Sequence, residues 1–112
     1  MKIYHNPRCR KSREALALLE EKNVKVEIIN YIKNPLSANE LKDLLQLLGY
    51  SAEDLLRKNE DIFKDKYKGK SLRENEWITV MTDHPKLIER PIVVSENKAV
   101  VARPAEKLLS LL

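Results

Sequence analysis

A single cysteine, Cys9, is all that this chain of 112 residues carries. One thiol cannot form an internal disulfide, and small secreted scaffolds need several. Aromatic side chains are also scarce, at 5 % of the chain, so the core must come mostly from leucine, isoleucine and valine. No run approaches the roughly 18–20 apolar residues that cross a bilayer. The opening residues, MKIYHNP, enter a strand signal with no apolar signal-peptide core. These absences predict a reducing cytoplasm and no membrane partner. One cysteine and two histidines also leave too few ligands for a zinc site.

What the chain has is charge. Asp, Glu, Lys and Arg make up 34 % of it, but the signs are interspersed, so the chain reads as globular rather than disordered. The net charge of +4 is a mild bias towards anionic ligands. A nucleic-acid partner is not expected, because no aromatic stacking platform or recognition motif accompanies the basic residues.

The length suits one domain, 1–112, without repeats, linkers or low-complexity tracts. Residues 2–4 read as a strand that stops at the loop-forming Asn6 and Pro7. From about Cys9, Leu16, Leu18, Leu19 and the intervening alanines follow helical spacing to Glu21 and Lys22. Asn23 then tolerates the left-handed conformation past a helix end. Residues 24–31 alternate and carry β-branched side chains, as a strand does.

Ser37 and Glu40 have the spacing of a capping box, followed by a stripe of Leu41, Leu44, Leu45 and Leu48 and a closing Gly49. A short helix from Ser51 to Leu56 and a polar stretch at 58–70, loop with some helix, come next. Ser71 can cap a helix holding Trp77, Ile78, Val80 and Met81, with Trp77 in the core and His84 at its stop. Ile92–Val94 and Ala99–Val101 flank a tight Glu96-Asn97 turn, a hairpin signal. Pro104 falls in the first turn of a final helix. The order is β-α-β, a helical middle at about 35–85, then β-β-α: an α/β domain with a mixed sheet.

Cys9 lies between the end of a strand and the first turn of a helix, among Arg8, Arg10, Lys11 and Arg13. Unpaired N–H groups and the macrodipole at a helix start favour negative charge there. Nearby cations push the same way, and thiols in such places ionise more readily than free cysteine. Ser12, one turn on, can offer its hydroxyl to the same sulfur. A nucleophilic thiolate is the expected role. Without a second cysteine, any redox cycle must borrow a thiol from another molecule.

HNPRCRKSR (5–13), LLRKNE (55–60) and DHPKLIERPIVV…ARP (83–104) closely resemble the glutaredoxin-linked, ArsC-type arsenate reductases and their uncharacterised relatives. The match covers essentially the whole chain. The resemblance implies a thioredoxin-like fold with a central helical insertion, no bound cofactor, glutathione as co-substrate and glutaredoxin as partner, in a protein that acts as a monomer. By motif, Cys9 matches the family's nucleophile, Ser12 the serine one turn along, and His5 the histidine that helps keep the thiol ionised. Arg57, Arg90 and Arg103 match its oxyanion-handling arginines, and Pro91 the cis-proline of thioredoxin-like folds.

Arsenate is a tetrahedral oxyanion, and planar guanidinium forks match its oxygens better than ammonium groups do. Two alternatives stay open at this point. One is a relative with the same thiol site and a different substrate, suggested by the basic residues beside Cys9. The other is a transcription regulator of the Spx type that binds RNA polymerase. Ser12 in the fourth position of Cys-x-x-Ser excludes a disulfide switch at that motif.

Overall fold

The computed structural model describes residues 1–112. The chain divides into two compact units, one of Met1–Asn34 with Arg90–Leu112 and the other of Pro35–Glu89.

In the first unit, β1 (Lys2–His5) pairs in parallel with β2 (Glu27–Asn30) and antiparallel with β3 (Ile92–Val94). β3 pairs antiparallel with β4 (Ala99–Val101), giving the order β2-β1-β3-β4. This is the mixed sheet expected from the element order. Period-two alternation buries Ile3 and His5 on one face of β1. Helix α1 (Arg10–Glu21) connects β1 to β2 and buries Ser12, Ala15 and Leu19, which share one helical face. Ile3, Ala15, Leu19, Val93, Ala102, Ala105 and Leu108 form the core of this unit. Asn23 does adopt a positive φ, 56°, just past the helix.

Two expectations shift here. β2 is shorter than residues 24–31, because β1 offers it only Lys2 to His5 as partners. Val24 and Val26 pack against the core instead of extending the ladder. The last element, Ala105–Leu111, is a 3₁₀ helix, and Pro104 precedes it as the cap, with ψ 166°, rather than sitting inside its first turn. Its buried residues, Ala105 and Leu108, are three apart, which suits three residues per turn.

In the second unit, α2 (Ala38–Leu48) carries the capping box foreseen from its sequence. Glu40 N–H donates to Ser37 Oγ at 3.1 Å, and Ser37 N–H donates to Glu40 Oε1 at 3.1 Å. Gly49 takes the left-handed conformation at its end, φ 71°. A short 3₁₀ turn (Glu53–Leu55) leads to α3 (Asp61–Lys66) and α4 (Glu74–Asp83).

Ser71 does not cap α4. Arg73 stands at that position, and its N–H donates to the Glu76 carboxylate at 2.9 Å. Ala52 N–H donates to Glu74 at 2.9 and 3.1 Å, which ties the start of α4 to the preceding turn. His84 ends α4, as expected, and Trp77 is buried in this unit, where its ring contacts are Phe63 and Tyr67. Arg57 N–H donates to Leu87 O at 2.7 Å and Glu89 N–H to Leu55 O at 2.8 Å, on either side of a bridge between Leu56 and Ile88.

Candidate active site

Cys9 is the N-cap of α1, in extended conformation (φ −91°, ψ 122°), and is only 8 % exposed. Serine, threonine, asparagine or aspartate usually fills this position and accepts from the second or third helical N–H. Here a sulfur takes that role, and no ordinary side-chain hydrogen bond closes the cap. Burial pushes the thiol pKa up. The Ser12 N–H, the Arg90 side chain and the Lys11 N–H outweigh burial, and the pKa ends below its ordinary value. A sulfur that is nearly buried is therefore still easier to ionise than an ordinary thiol.

The source of this stabilisation differs from the sequence expectation in two respects. The cations adjacent in sequence are engaged elsewhere: Arg10 Nε and Lys11 Nζ pair with Glu14 at 3.2 and 3.7 Å, and Arg13 Nη1 donates to Pro7 O at 3.0 Å. Arg90, remote in sequence, is the side chain that acts on the sulfur. Ser12 contributes through its backbone N–H, because its hydroxyl is committed elsewhere. Ser12 Oγ accepts from Asn6 N–H at 3.0 Å and lies 2.7 Å from His5 Nδ1.

Asn6 holds the loop at three points. Its N–H donates to Ser12 Oγ, its Oδ1 accepts from Arg8 N–H at 3.0 Å, and its carbonyl accepts from Cys9 N–H at 3.0 Å. His5 and Ser12 are 6 % and 0 % exposed, so their mutual bond satisfies two polar groups that would otherwise be buried unpaired. His5 thus acts on the loop through Ser12. Burial first, and then the Arg13 charge, push its pKa below 6.5.

This shift has a sign that can be measured. The unfolded chain binds a proton at His5 near pH 6.5, and the folded chain binds it only at lower pH. The stability linked to His5 is therefore fully present above pH 6.5 and is lost as pH falls through the folded value. Urea unfolding at about pH 7.5 and about pH 5.5 should show a larger loss of stability on acidification in the wild type than in His5→Gln. Equal losses in the two proteins would remove His5 from the acid sensitivity.

Arg90 and Arg103 come together in the first unit. Arg103 Nη1 donates to Arg90 O at 3.2 Å, and Ala102 N–H donates to Pro91 O at 2.9 Å. The Arg90–Pro91 and Arg103–Pro104 peptide bonds are both cis, the second without any signal in the sequence. Arg57 lies in the second unit. Its Nε stands 3.7 Å from Glu89 Oε1 and its Nη1 3.7 Å from Glu60 Oε1, and Nη1 is buried with no hydrogen bond.

A β-α-β then β-β-α sheet whose first helix starts on an ionisable thiol, with a cis-proline leading into β3, defines the thioredoxin-like class. The ArsC family model matches residues 4–111. Among curated proteins, the chain is 49 % identical to the uncharacterised protein YfgD of Escherichia coli K12, over 99 % of this chain and 95 % of that one. It is 41 % identical to an arsenate reductase of Neisseria meningitidis, over 100 % and 97 %. Among solved structures, an arsenate reductase from Vibrio cholerae superposes with a TM-score of 0.94 at 43 % identity, covering 100 % of this chain and 98 % of that one. The chain belongs to the ArsC family.

Proposed function

We propose that this protein is a thiol-dependent arsenate reductase that uses Cys9 as nucleophile and draws its electrons from glutathione and glutaredoxin. The observation that carries this reading is the thiol at a helix N-cap, favoured in its ionised form by Arg90 and two backbone N–H groups. Similarity to proteins named arsenate reductase over their full length supports the substrate. In this reading the protein works as a monomer in the cytoplasm, without a bound cofactor.

The Cys9 thiolate attacks arsenic, an As–O bond breaks, and with a proton the leaving oxygen departs as water. A cysteinyl arsenate ester results. Arg90 and Arg103 offset the repulsion between a thiolate and an anion, and their forks match its oxygens; the family motif gives Arg57 the same part. Glutathione then attacks this adduct, and glutaredoxin resolves the mixed species. Arsenic(V) gains two electrons and leaves as arsenite. The two external thiols end as one disulfide, and Cys9 returns to the thiol state. His5, Ser12 and Asn6 position the loop, and Pro91 sets the backbone beside Arg90.

A coupled assay with arsenate, glutathione and glutaredoxin tests this directly. Turnover with all three, and its loss when either thiol source is omitted, is expected. An absence of turnover with arsenate, despite an ionised Cys9, would shift the assignment to another oxyanion.

Arg57 allows a separate test. Its contacts with Glu60 and Glu89, both at 3.7 Å, are longer than hydrogen bonds, so they orient it weakly. If Arg57 meets the oxyanion, each carboxylate beside it repels that anion, by about 0.6 kcal/mol for one charge pair at a separation on the order of 7 Å in a water-like dielectric. Glu60→Gln should therefore lower KM for arsenate about threefold with little change in kcat. A raised KM would mean that the carboxylate serves mainly to aim Arg57. No change in KM would place Arg57 outside the anion site.

A further inference from the structure

The stretch KDKYKGK, residues 64–70, plays no part in the thiol chemistry, and the structure gathers its lysines around a pocket. The pocket lies within the second unit, has a volume of about 490 Å³ and is lined by Lys58, Lys64, Lys68 and Lys70 with Phe63 and Trp77. Its one carboxylate, Glu53, is already paired with Lys58 at 3.1 Å. Lys64, Lys68 and Lys70 form no ion pair within the protein. Like charges converging around a single, already paired carboxylate repel one another, and an anion bound among them would relieve that repulsion.

The aromatic part of the wall is equally specific. The lining residues Phe63 and Trp77 stack with centroids 6.1 Å apart and planes at 26°, and Tyr67, outside the lining, backs Trp77 edge-on at 6.2 Å. These are three of the six Phe, Trp and Tyr residues of an aromatic-poor chain. The Trp77 indole N–H is buried with no acceptor in the protein, an uncommon state for a buried donor.

We propose that this pocket binds a small organic anion joining a flat ring to two or more negative charges, the chemistry of a nucleoside diphosphate. The small part of Phe63 and Trp77 that reaches the pocket takes the ring, and the lysines take the phosphates. The volume falls within the range of small-molecule sites, roughly 300–1,000 Å³, and the concave shape favours such a ligand over an extended acidic protein surface. This site is independent of Cys9 and of the reaction proposed for it.

Trp77 is the only tryptophan, so its fluorescence reports on the pocket without a label. Titration of the full chain with ADP should give a saturable signal, matched by calorimetry. Adenosine and inorganic pyrophosphate, each carrying half of the chemistry, should bind at least about tenfold more weakly. The double variant Lys64→Ala/Lys68→Ala alters exposed side chains only, and should weaken ADP about tenfold while leaving the circular dichroism and the rate of Cys9 alkylation unchanged. Three results would each overturn the proposal: no saturable binding of ADP at millimolar concentration, equal binding of pyrophosphate and ADP, or undiminished ADP binding by the double variant. Binding of polyglutamate as tightly as ADP would do the same, since it would assign the pocket to acidic polypeptides.

Discussion

Cys9→Ser should lose about 10³-fold or more of the proposed arsenate reductase activity while folding as well as the wild type. The two halves of that expectation have separate causes. A serine hydroxyl, unlike the thiol, is not ionised at neutral pH and is a poor nucleophile as such, so the covalent step stops. Serine is also a preferred N-cap, able to accept from the Lys11 or Ser12 N–H, so α1 keeps or improves its start. Circular dichroism and thermal unfolding read the second half, and the coupled assay reads the first. Retained activity with a serine would eliminate the thiol mechanism. Loss of both activity and fold would mean that the sulfur is mainly a packing element.

Arg90→Leu is expected to have the next largest effect, because one side chain serves two steps. Its guanidinium lowers the Cys9 pKa, and in the proposed mechanism the same charge meets the arsenate oxygens. Removing a positioned donor of this kind costs about 10²–10³-fold in rate. The pH dependence should change as well: with the thiol pKa raised, the rise in activity moves to higher pH. Arg90→Lys keeps the charge but not the planar fork. It should restore much of the thiol ionisation and less of the rate. If Arg90→Leu lowered the rate with no alkaline shift, the arginine would act on the anion alone.

Much of the scaffold was legible because it rests on local rules. The Ser37–Glu40 box, the left-handed Gly49, the turn at Asn23 and the hairpin of β3 and β4 each follow from residues a few positions apart. The misses follow from partners that are distant or from the wrong donor on the right residue. Ser71 looks like a cap, but Glu76 reaches back to Arg73 and moves the helix start. The length of β2 is set by β1, which its own composition cannot reveal.

The site shows the same division. Placing the thiol at a helix start needed only the change of pattern at Cys9. Its charge environment did not follow from its neighbours in sequence, since Glu14 and Pro7 engage three of the nearby cations. The decisive guanidinium, Arg90, arrives through the pairing of β1 with β3. Ser12 was found by its spacing, yet its hydroxyl serves His5 and Asn6, and only its backbone faces the chemistry.

Direct titration of the Cys9 thiol in the folded protein, followed by ultraviolet absorbance of the thiolate, reaches the central claim with least intervening inference. A midpoint below the ordinary free-thiol value of about 8.5 is expected in the wild type, moving upward in Arg90→Leu. A wild-type midpoint at or above about 8.5 would contradict it, because burial would then match or outweigh the helix start and the arginine.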